Sequence, residues 1–348
     1  MKISPFSISS SELAAMRPPG DAAYVYERLL KLSTWSDEGP VVGKRVAGFV
    51  DETFDLALPK VVSEVRSTDG STKLLFELAD GARIETVHMP RAVRNPRTTL
   101  CLSSQVGCAM GCTFCHTATM GFIRNLTAAE IVAQALVATR RLGPPDSGRW
   151  TIVFMGMGEP LHNLDAVLKA VEIFCDPLGL RMSPQRITVS TSGLVPGIEA
   201  LGRARVRPCL ALSLNATTNE ARSRTMPITK KHNLESLAEA LQTFPLRPKE
   251  KVTIEYVLLA GENDSIEDAK RLADFARPLR HNINVIPYNV YDGSAFAPPS
   301  EPNLQTFVRA LMDAGCFATI RRSRGRDAQA ACGQLAVAGV TRPLRRRP

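Results

Sequence analysis

No stretch of about 18 uninterrupted apolar residues occurs in this chain, so nothing in it predicts a membrane-spanning helix. The opening residues Met1-Lys2-Ile3-Ser4-Pro5 lack an apolar run after their single lysine. No secretory signal is therefore expected, and the cytoplasm is the default compartment. Without export, the eight cysteines are not read as a disulfide framework. Internal repeats and low-complexity tracts are also missing. What is present is ordinary bulk: 348 residues, 44% of them hydrophobic, enough for one large domain with additions or for two domains. The net charge of +9 is concentrated late, in Arg321-Arg322-Ser323-Arg324-Gly325-Arg326 and Arg342-Pro343-Leu344-Arg345-Arg346-Arg347. A basic surface attracts phosphate and favours nucleic-acid partners. A solvated tail without a partner is the competing reading.

One cysteine group stands out: Cys108, Cys112 and Cys115, spaced C-x3-C-x2-C with no fourth cysteine nearby. Three thiolates can hold three corners of a [4Fe–4S] cube and leave one iron open to a substrate or cofactor. A zinc site with His116 or His88 as fourth ligand competes, but structural zinc usually takes a second cysteine knuckle, and none exists here. The run Cys112-Thr113-Phe114-Cys115-His116 matches the c-type haem pattern, which normally requires export. Three plain core cysteines would be a poor core pattern among glycine and polar residues. The spacing resembles that of the radical S-adenosylmethionine (SAM) superfamily, in which the open iron chelates SAM and the cofactor carries the radical chemistry.

From about residue 98 apolar runs alternate with helical patterns. Strands are expected at 99–104, 151–155, 186–190, 209–214, 252–259 and 283–290. Helices are expected from Thr127, a fair N-cap with Glu130 three residues on, to 141, and at 164–174, 196–202, 233–244, 265–279 and 303–314. Six βα units imply a parallel sheet with outer helices. The fold class is α/β, a partial (β/α)6 barrel with its site at the C-terminal strand ends. Before it, residues 1–36 read as polar and weakly helical, and 61–89 as a β meander turning at Asp69-Gly70 and Asp80-Gly81. The expected division is an accessory domain at 1–95, a core at 96–300, and a C-terminal part at 301–348 with a helix, a strand, a mobile cysteine segment and the basic tail.

Several runs recur in a specific order: Ile84-Glu85-Thr86-Val87, Leu100-Cys101-Leu102-Ser103-Ser104-Gln105-Val106-Gly107-Cys108, Gly121-Phe122-Ile123-Arg124-Asn125-Leu126, Met155-Gly156-Met157-Gly158-Glu159-Pro160, Ser190-Thr191-Ser192-Gly193, Met226-Pro227-Ile228 and Ala331-Cys332-Gly333-Gln334-Leu335. In them the chain resembles the RlmN/Cfr family of radical-SAM RNA methyltransferases, nearer to RlmN, from about residue 61 to 336. The resemblance implies methylation of a ring carbon of adenosine, carbon 2 in RlmN and carbon 8 in Cfr, in 23S rRNA and/or tRNA. It implies a [4Fe–4S] cluster on Cys108, Cys112 and Cys115, two SAM molecules, and an electron donor such as flavodoxin or ferredoxin. By similarity, Cys332 carries the methyl group, Cys101 removes the ring proton and releases the product through a transient disulfide, and Glu85 accepts a proton. SAM contacts carry over to Gly158, Glu159, Ser190, Ser213, Asn215 and Asn289, although many members have histidine at 215.

Taken alone, Cys101 and Cys332 would be plain buried cysteines, Glu85 a solvated strand carboxylate, and Gly158-Glu159-Pro160 a turn. Cys175, Cys209 and Cys316 match no motif and keep that plain reading. Residues 1–49 carry Asp37-Glu38 where the family typically has a basic helical leader. Two other functions fit the residues less fully. One is a radical-SAM enzyme of the same fold with a non-RNA substrate. The other is a metal-stabilised RNA-binding module without catalysis, which needs neither Cys101 nor Cys332.

Overall fold

The computed structural model describes residues 2–30, 35–36, 39–40, 42–91, 96–143 and 150–337. The run from Arg342 and the pair Asp37-Glu38 lie outside the described residues. Near the start, Ser9 and Glu12 cap α1 (Ser10–Ala15) reciprocally, and α2 (Ala22–Leu30) comes next. This stretch is less polar in place than its composition suggests. Leu13, Val25, Tyr26 and Leu29 are buried and belong to the same core as the rest of the chain, because their three- and four-residue spacing puts them on inner helix faces. The Tyr26 hydroxyl donates to the Ile8 carbonyl at 3.2 Å. Two short strands, β1 (Trp35–Ser36) and β2 (Gly39–Pro40), pair with each other, and α3 (Lys44–Thr53) precedes the meander.

The meander forms as β3 (Lys60–Arg66), β4 (Thr72–Glu77) and β5 (Arg83–Arg91), all antiparallel. It is continuous with the parallel strands rather than a separate sheet. Strand β5 pairs antiparallel with β6 (Arg97–Cys101), which opens the parallel part. A short hairpin comes next, β7 (Gln105–Gly107) with β8 (Phe122–Asn125), holding the one-turn helix α4 (His116–Thr119) between its arms. The alternation then runs α5 (Ala128–Leu142), β9 (Trp150–Phe154), α6 (Leu164–Cys175), β10 (Ile187–Thr191), α7 (Val195–Gly202) and β11 (Cys209–Ser213). It continues with α8 (Asn219–Thr225), α9 (Leu234–Gln242), β12 (Val252–Leu258), α10 (Ile266–Ala276), β13 (His281–Pro287), α11 (Glu301–Asp313) and β14 (Ala318–Ile320). Thr127 and Glu130 cap α5 as its sequence predicts.

All neighbours from β6 to β14 are parallel. The result is one ten-stranded sheet in the order β14-β13-β12-β11-β10-β9-β6-β5-β4-β3. Among the described residues no ladder joins β14 to the other edge, so the barrel is partial. Strand ends differ from expectation by a few residues. The first parallel strand stops at Cys101, because Leu102 and Ser104 donate their N–H groups across to Val153 and Met157 as the chain turns over the sheet. The C-terminal strand ends thus converge on one rim, where the hairpin and its cysteines sit.

Candidate active site

The cysteine loop is fixed by a close backbone approach. Gly107 has φ +72°, and a Cβ there would lie 1.9 Å from the Gly121 carbonyl oxygen. Only glycine fits, and it lets the Cys108 N–H donate to that oxygen at 2.9 Å. Thr113 N–H donates to the Thr225 carbonyl at 2.9 Å, which pins the loop to the end of α8. Cys108, Cys112 and Cys115 line one cavity. Burial pushes the Cys108 thiol up to about 12. Burial and the two neighbouring sulfurs raise Cys112 well above its ordinary value, and burial raises Cys115.

Three enclosed thiols do not ionise together unless a cation joins them, so this donor set suits a cationic iron–sulfur core. Among the described residues no group of three or more His, Cys, Asp and Glu could hold a metal ion. A cube is wider than a single ion and takes its thiolates spread around a space. Neither histidine completes a zinc site. His116 stacks on Tyr291 at 4.5 Å, with Nδ1 3.3 Å from the Gln334 carbonyl, and the Nδ1 of His88 is buried without a partner.

The far wall of this cavity contains Gly158, Glu159, Ser190, Ser213 and Asn215. Gly158 has φ +106°, and a Cβ would stand 2.6 Å from that of Gln105. Only glycine therefore lets this turn pack against Gln105. Glu159 is buried; one oxygen accepts from the N–H and hydroxyl of Ser192, both at 2.8 Å, and the other from the Leu161 N–H at 3.1 Å. Burial raises its pKa despite these bonds. The hydroxyls of Ser190 and Ser213 lie 3.4 Å apart at adjacent strand ends. Asn215 is more committed than a free ligand contact: its Oδ1 accepts from the Val257 N–H at 2.8 Å and its Nδ2 faces the Met226 sulfur at 3.4 Å. Asn289 is not on this wall. Its Nδ2 donates to the Ser323 hydroxyl at 2.8 Å and to the Cys332 carbonyl at 3.2 Å, so it holds the cysteine segment.

A second cavity, of about 900 Å³, fills the barrel interior and is lined by both Cys101 and Cys332. Cys332 also lines the cavity of the three cysteines. Both thiols are free. Burial and the neighbouring Cys332 push Cys101 up to about 12. Burial raises Cys332 as well, and the Arg321 guanidinium opposes this. Glu85 lines neither cavity. One oxygen pairs with Lys73 Nζ at 2.9 Å and the other accepts from the Ala336 N–H at 3.0 Å; burial raises its pKa against the pull of Lys73. In this arrangement it tethers the chain just beyond Cys332.

The comparisons fit this geometry. A profile described as "Radical SAM superfamily" matches residues 102–276. A relative from Geobacter sulfurreducens, called dual-specificity RNA methyltransferase RlmN, is 51% identical over 77% of this chain and 72% of its own. One of the same name from Desulfosudis oleivorans is 45% identical over 86% and 80%. The chain belongs to the RlmN family. A solved radical SAM methyltransferase from Sphaerobacter thermophilus superposes with a TM-score of 0.87 at 38% identity, covering 96% of this chain and 99% of that one. The RlmN member described here is thus a radical-SAM RNA methyltransferase whose cofactors are a [4Fe–4S] cluster and SAM.

Three site residues were not singled out by sequence. Arg321 reads as part of a basic run, yet it lines both cavities and pairs with Glu255 at 2.8 Å. Glu255 itself had a signal, a lone charge between Ile254 and Tyr256 in an apolar strand. Arg222 is fully buried and donates to the Leu214 carbonyl at 2.9 Å and to the Ser192 carbonyl at 2.5 Å, bracing the cavity rim. Burial lowers its pKa to about 10, and the nearby Cys112 works the other way.

Proposed function

We propose that this protein methylates carbon 2 of an adenosine in RNA, with Cys332 as methyl carrier and Cys101 as its partner thiol. The observation that carries this reading is the position of Cys332 on the wall of both cavities. A methyl group accepted on the cysteine-loop side can be presented to a base in the barrel interior without leaving the sulfur. When bound, the cluster and SAM supply the methyl group and the one-electron chemistry.

The chain's own residues do the rest. Cys108, Cys112 and Cys115 would hold the cluster, and Gly158, Glu159, Ser190 and Ser213, which line the same cavity, would seat SAM. Arg321 favours the Cys332 thiolate, the form that accepts a methyl group. Cys101 faces the same interior and would take the proton from the ring carbon once the new bond has formed. Glu85 holds the segment behind Cys332 and is a second proton acceptor if its contact with Ala336 opens. The arginines at the interior mouth, Arg91, Arg97, Arg322 and Arg324, suit flanking phosphates. The RNA we propose is 23S rRNA, tRNA or both; the relatives' name states a dual-specificity RNA methyltransferase for them. A small redox protein such as flavodoxin or ferredoxin would supply the electron, and an RNA substrate places the work in the cytoplasm.

The test is direct. Anaerobic protein reconstituted with iron and sulfide and treated with SAM should gain one methyl mass on the peptide containing Cys332. A methyl group on any other cysteine, or none, overturns the assignment.

A further inference from the structure

We infer that Glu255 is a specificity-determining residue that reads the exocyclic amino group of the target base. This rests on the adenosine reading above. Glu255 lies on β12 and is 5% exposed. Its Oε1 accepts from Arg321 Nη1 at 2.8 Å and from Asn284 Nδ2 at 3.0 Å. Its Oε2 is buried and has no hydrogen-bond partner. A buried carboxylate oxygen left single is rare and calls for a donor from elsewhere. That donor has a place to stand, since Glu255 lines both the interior cavity and the cysteine cavity.

The geometry narrows what the donor is. Glu255 is among the charges acting on Cys332, and Arg321 is near both Cys332 and Cys101. A ligand that brings a ring carbon to the two thiols therefore also comes within reach of Glu255. On adenine, carbon 2 and the amino group flank N1 on one edge. With the carbon at the thiols, the amino group can donate to Oε2. Guanine and hypoxanthine carry an oxygen at that place, which meets a carboxylate oxygen with repulsion. A site built around a single fixed acceptor rejects such bases strongly, because the mismatch leaves buried polar atoms unpaired.

Substitution by glutamine gives a sharp prediction. In Glu255→Gln the amide oxygen stays with Arg321 and Asn284, and the NH₂ turns to the cavity. The acceptor becomes a donor at the same place.

The probes are three 12-nucleotide RNAs with one purine in a uridine background: adenosine, purine riboside (lacking only the amino group) and inosine. Binding to the cluster-loaded full-length protein is measured anaerobically at low salt without SAM, beside SAM affinity and cluster absorbance. The wild type should bind the adenosine RNA at least about tenfold tighter than the other two, as expected for one hydrogen bond to a charged acceptor. Glu255→Gln should lose that preference and favour inosine, with SAM affinity and absorbance unchanged. Glu255→Asp, which keeps the charge but withdraws it, should lose the preference without favouring inosine, and serves if the glutamine variant does not load a cluster. Equal wild-type binding of adenosine and purine riboside RNAs overturns the inference. So does an unaltered preference in both variants, or a loss confined to SAM affinity, which would turn Glu255 towards the cofactor. Failure of all three RNAs to bind the wild type would sink the RNA reading itself, and is distinguishable from these.

Discussion

The cysteine loop at 108–115 and the cysteine segment at 324–337 face each other, yet they are held in opposite ways. Backbone contacts set the loop's course: a glycine-only approach to Gly121, a turn bond from Cys115 N–H to the Cys112 carbonyl, and the bond from Thr113 N–H to the Thr225 carbonyl. The segment closes its own turns, with Ala330 N–H donating to the Gly325 carbonyl at 2.8 Å and Gln334 N–H to the Ala331 carbonyl at 3.0 Å, but is fastened in place by side chains from elsewhere. His116 N–H donates to the Gly333 carbonyl at 2.7 Å, and the Thr117 hydroxyl to the Leu335 carbonyl at 2.6 Å. Asn289 reaches the Cys332 carbonyl, Gln334 Nε2 donates to the Val290 carbonyl at 2.7 Å, and Lys73 Nζ to the Gln329 carbonyl at 3.1 Å. Asp69 accepts from the Gly325 N–H at 2.9 Å, and Asp327 from the Ser67 hydroxyl at 2.5 Å. A region held by backbone contacts around a glycine-only approach has little freedom. One held by side chains from several separate elements can be released in parts.

The strongest way to break the comparison is to exchange the roles of the cysteines. Cys112→Ala should abolish iron binding and with it all turnover. Cys332→Ala should keep the iron and still lose RNA methylation by at least about a thousandfold, as for other removed nucleophiles. Iron analysis beside mass mapping of modified adenosine checks both; a Cys332→Ala protein that turns over would dissolve the distinction. Next in size is the loop's own support. Gly107→Ala drives a methyl group into the Gly121 carbonyl and should cost about 4 kcal/mol of stability or prevent folding, read by denaturant unfolding. A loss under about 1 kcal/mol would mean the loop gives way as easily as the segment.

Smaller effects sharpen the segment's side. Glu85→Leu removes the acceptor for Ala336 and the carboxylate beside Lys73, so about 2 kcal/mol of local protection should vanish around residue 336. Hydrogen exchange should show this with iron content unchanged, and unchanged exchange would mean the strap does not depend on Glu85. The smallest effect is one of pH. Burial alone would raise Asp69, but hydrogen bonds from Ser71 and Gly325 with Arg324 beside it hold its carboxyl well below the ordinary 3.8. Its contribution is complete above about pH 4 and is lost as pH falls towards the folded value. The protection factor of the Gly325 amide, corrected for the intrinsic pH dependence of exchange, should fall below about pH 4 while that of the loop at 108–115 is unaffected. An equal fall in both places would refute the separation.

The same contrast explains what could be read in advance. The loop's chemistry lies in eight consecutive residues, and period and capping signalled the βα alternation, with Thr127 and Glu130 doing as their types predict. The segment's meaning depends on partners roughly 200 residues away, so Cys332 alone looked like any buried cysteine and acquired a role only through the family resemblance. Asn289 was expected to end a strand at 283–290 but lies just past β13, which stops at Pro287, and which side it serves depends on the segment lying against it. The meander was legible as strands, whereas its fusion to β6 was not, because alternation in a strand names its faces and not its neighbours. Glu255 shows the same limit: a charge in an apolar strand announces that something is there, and only the packed interior shows which oxygen is left over.

The Arg324 guanidinium donates to the carbonyls of Asp69 and Pro90, so residues beyond β14 reach back to the strands at the opposite edge of the sheet. A ribosome makes the chain in one direction. Thr117 emerges early and waits for Leu335, 218 residues later, before its hydroxyl finds its acceptor. Throughout that interval the cysteine loop can form while its cover does not yet exist. The residues that shut the chamber therefore arrive after every strand that lines it.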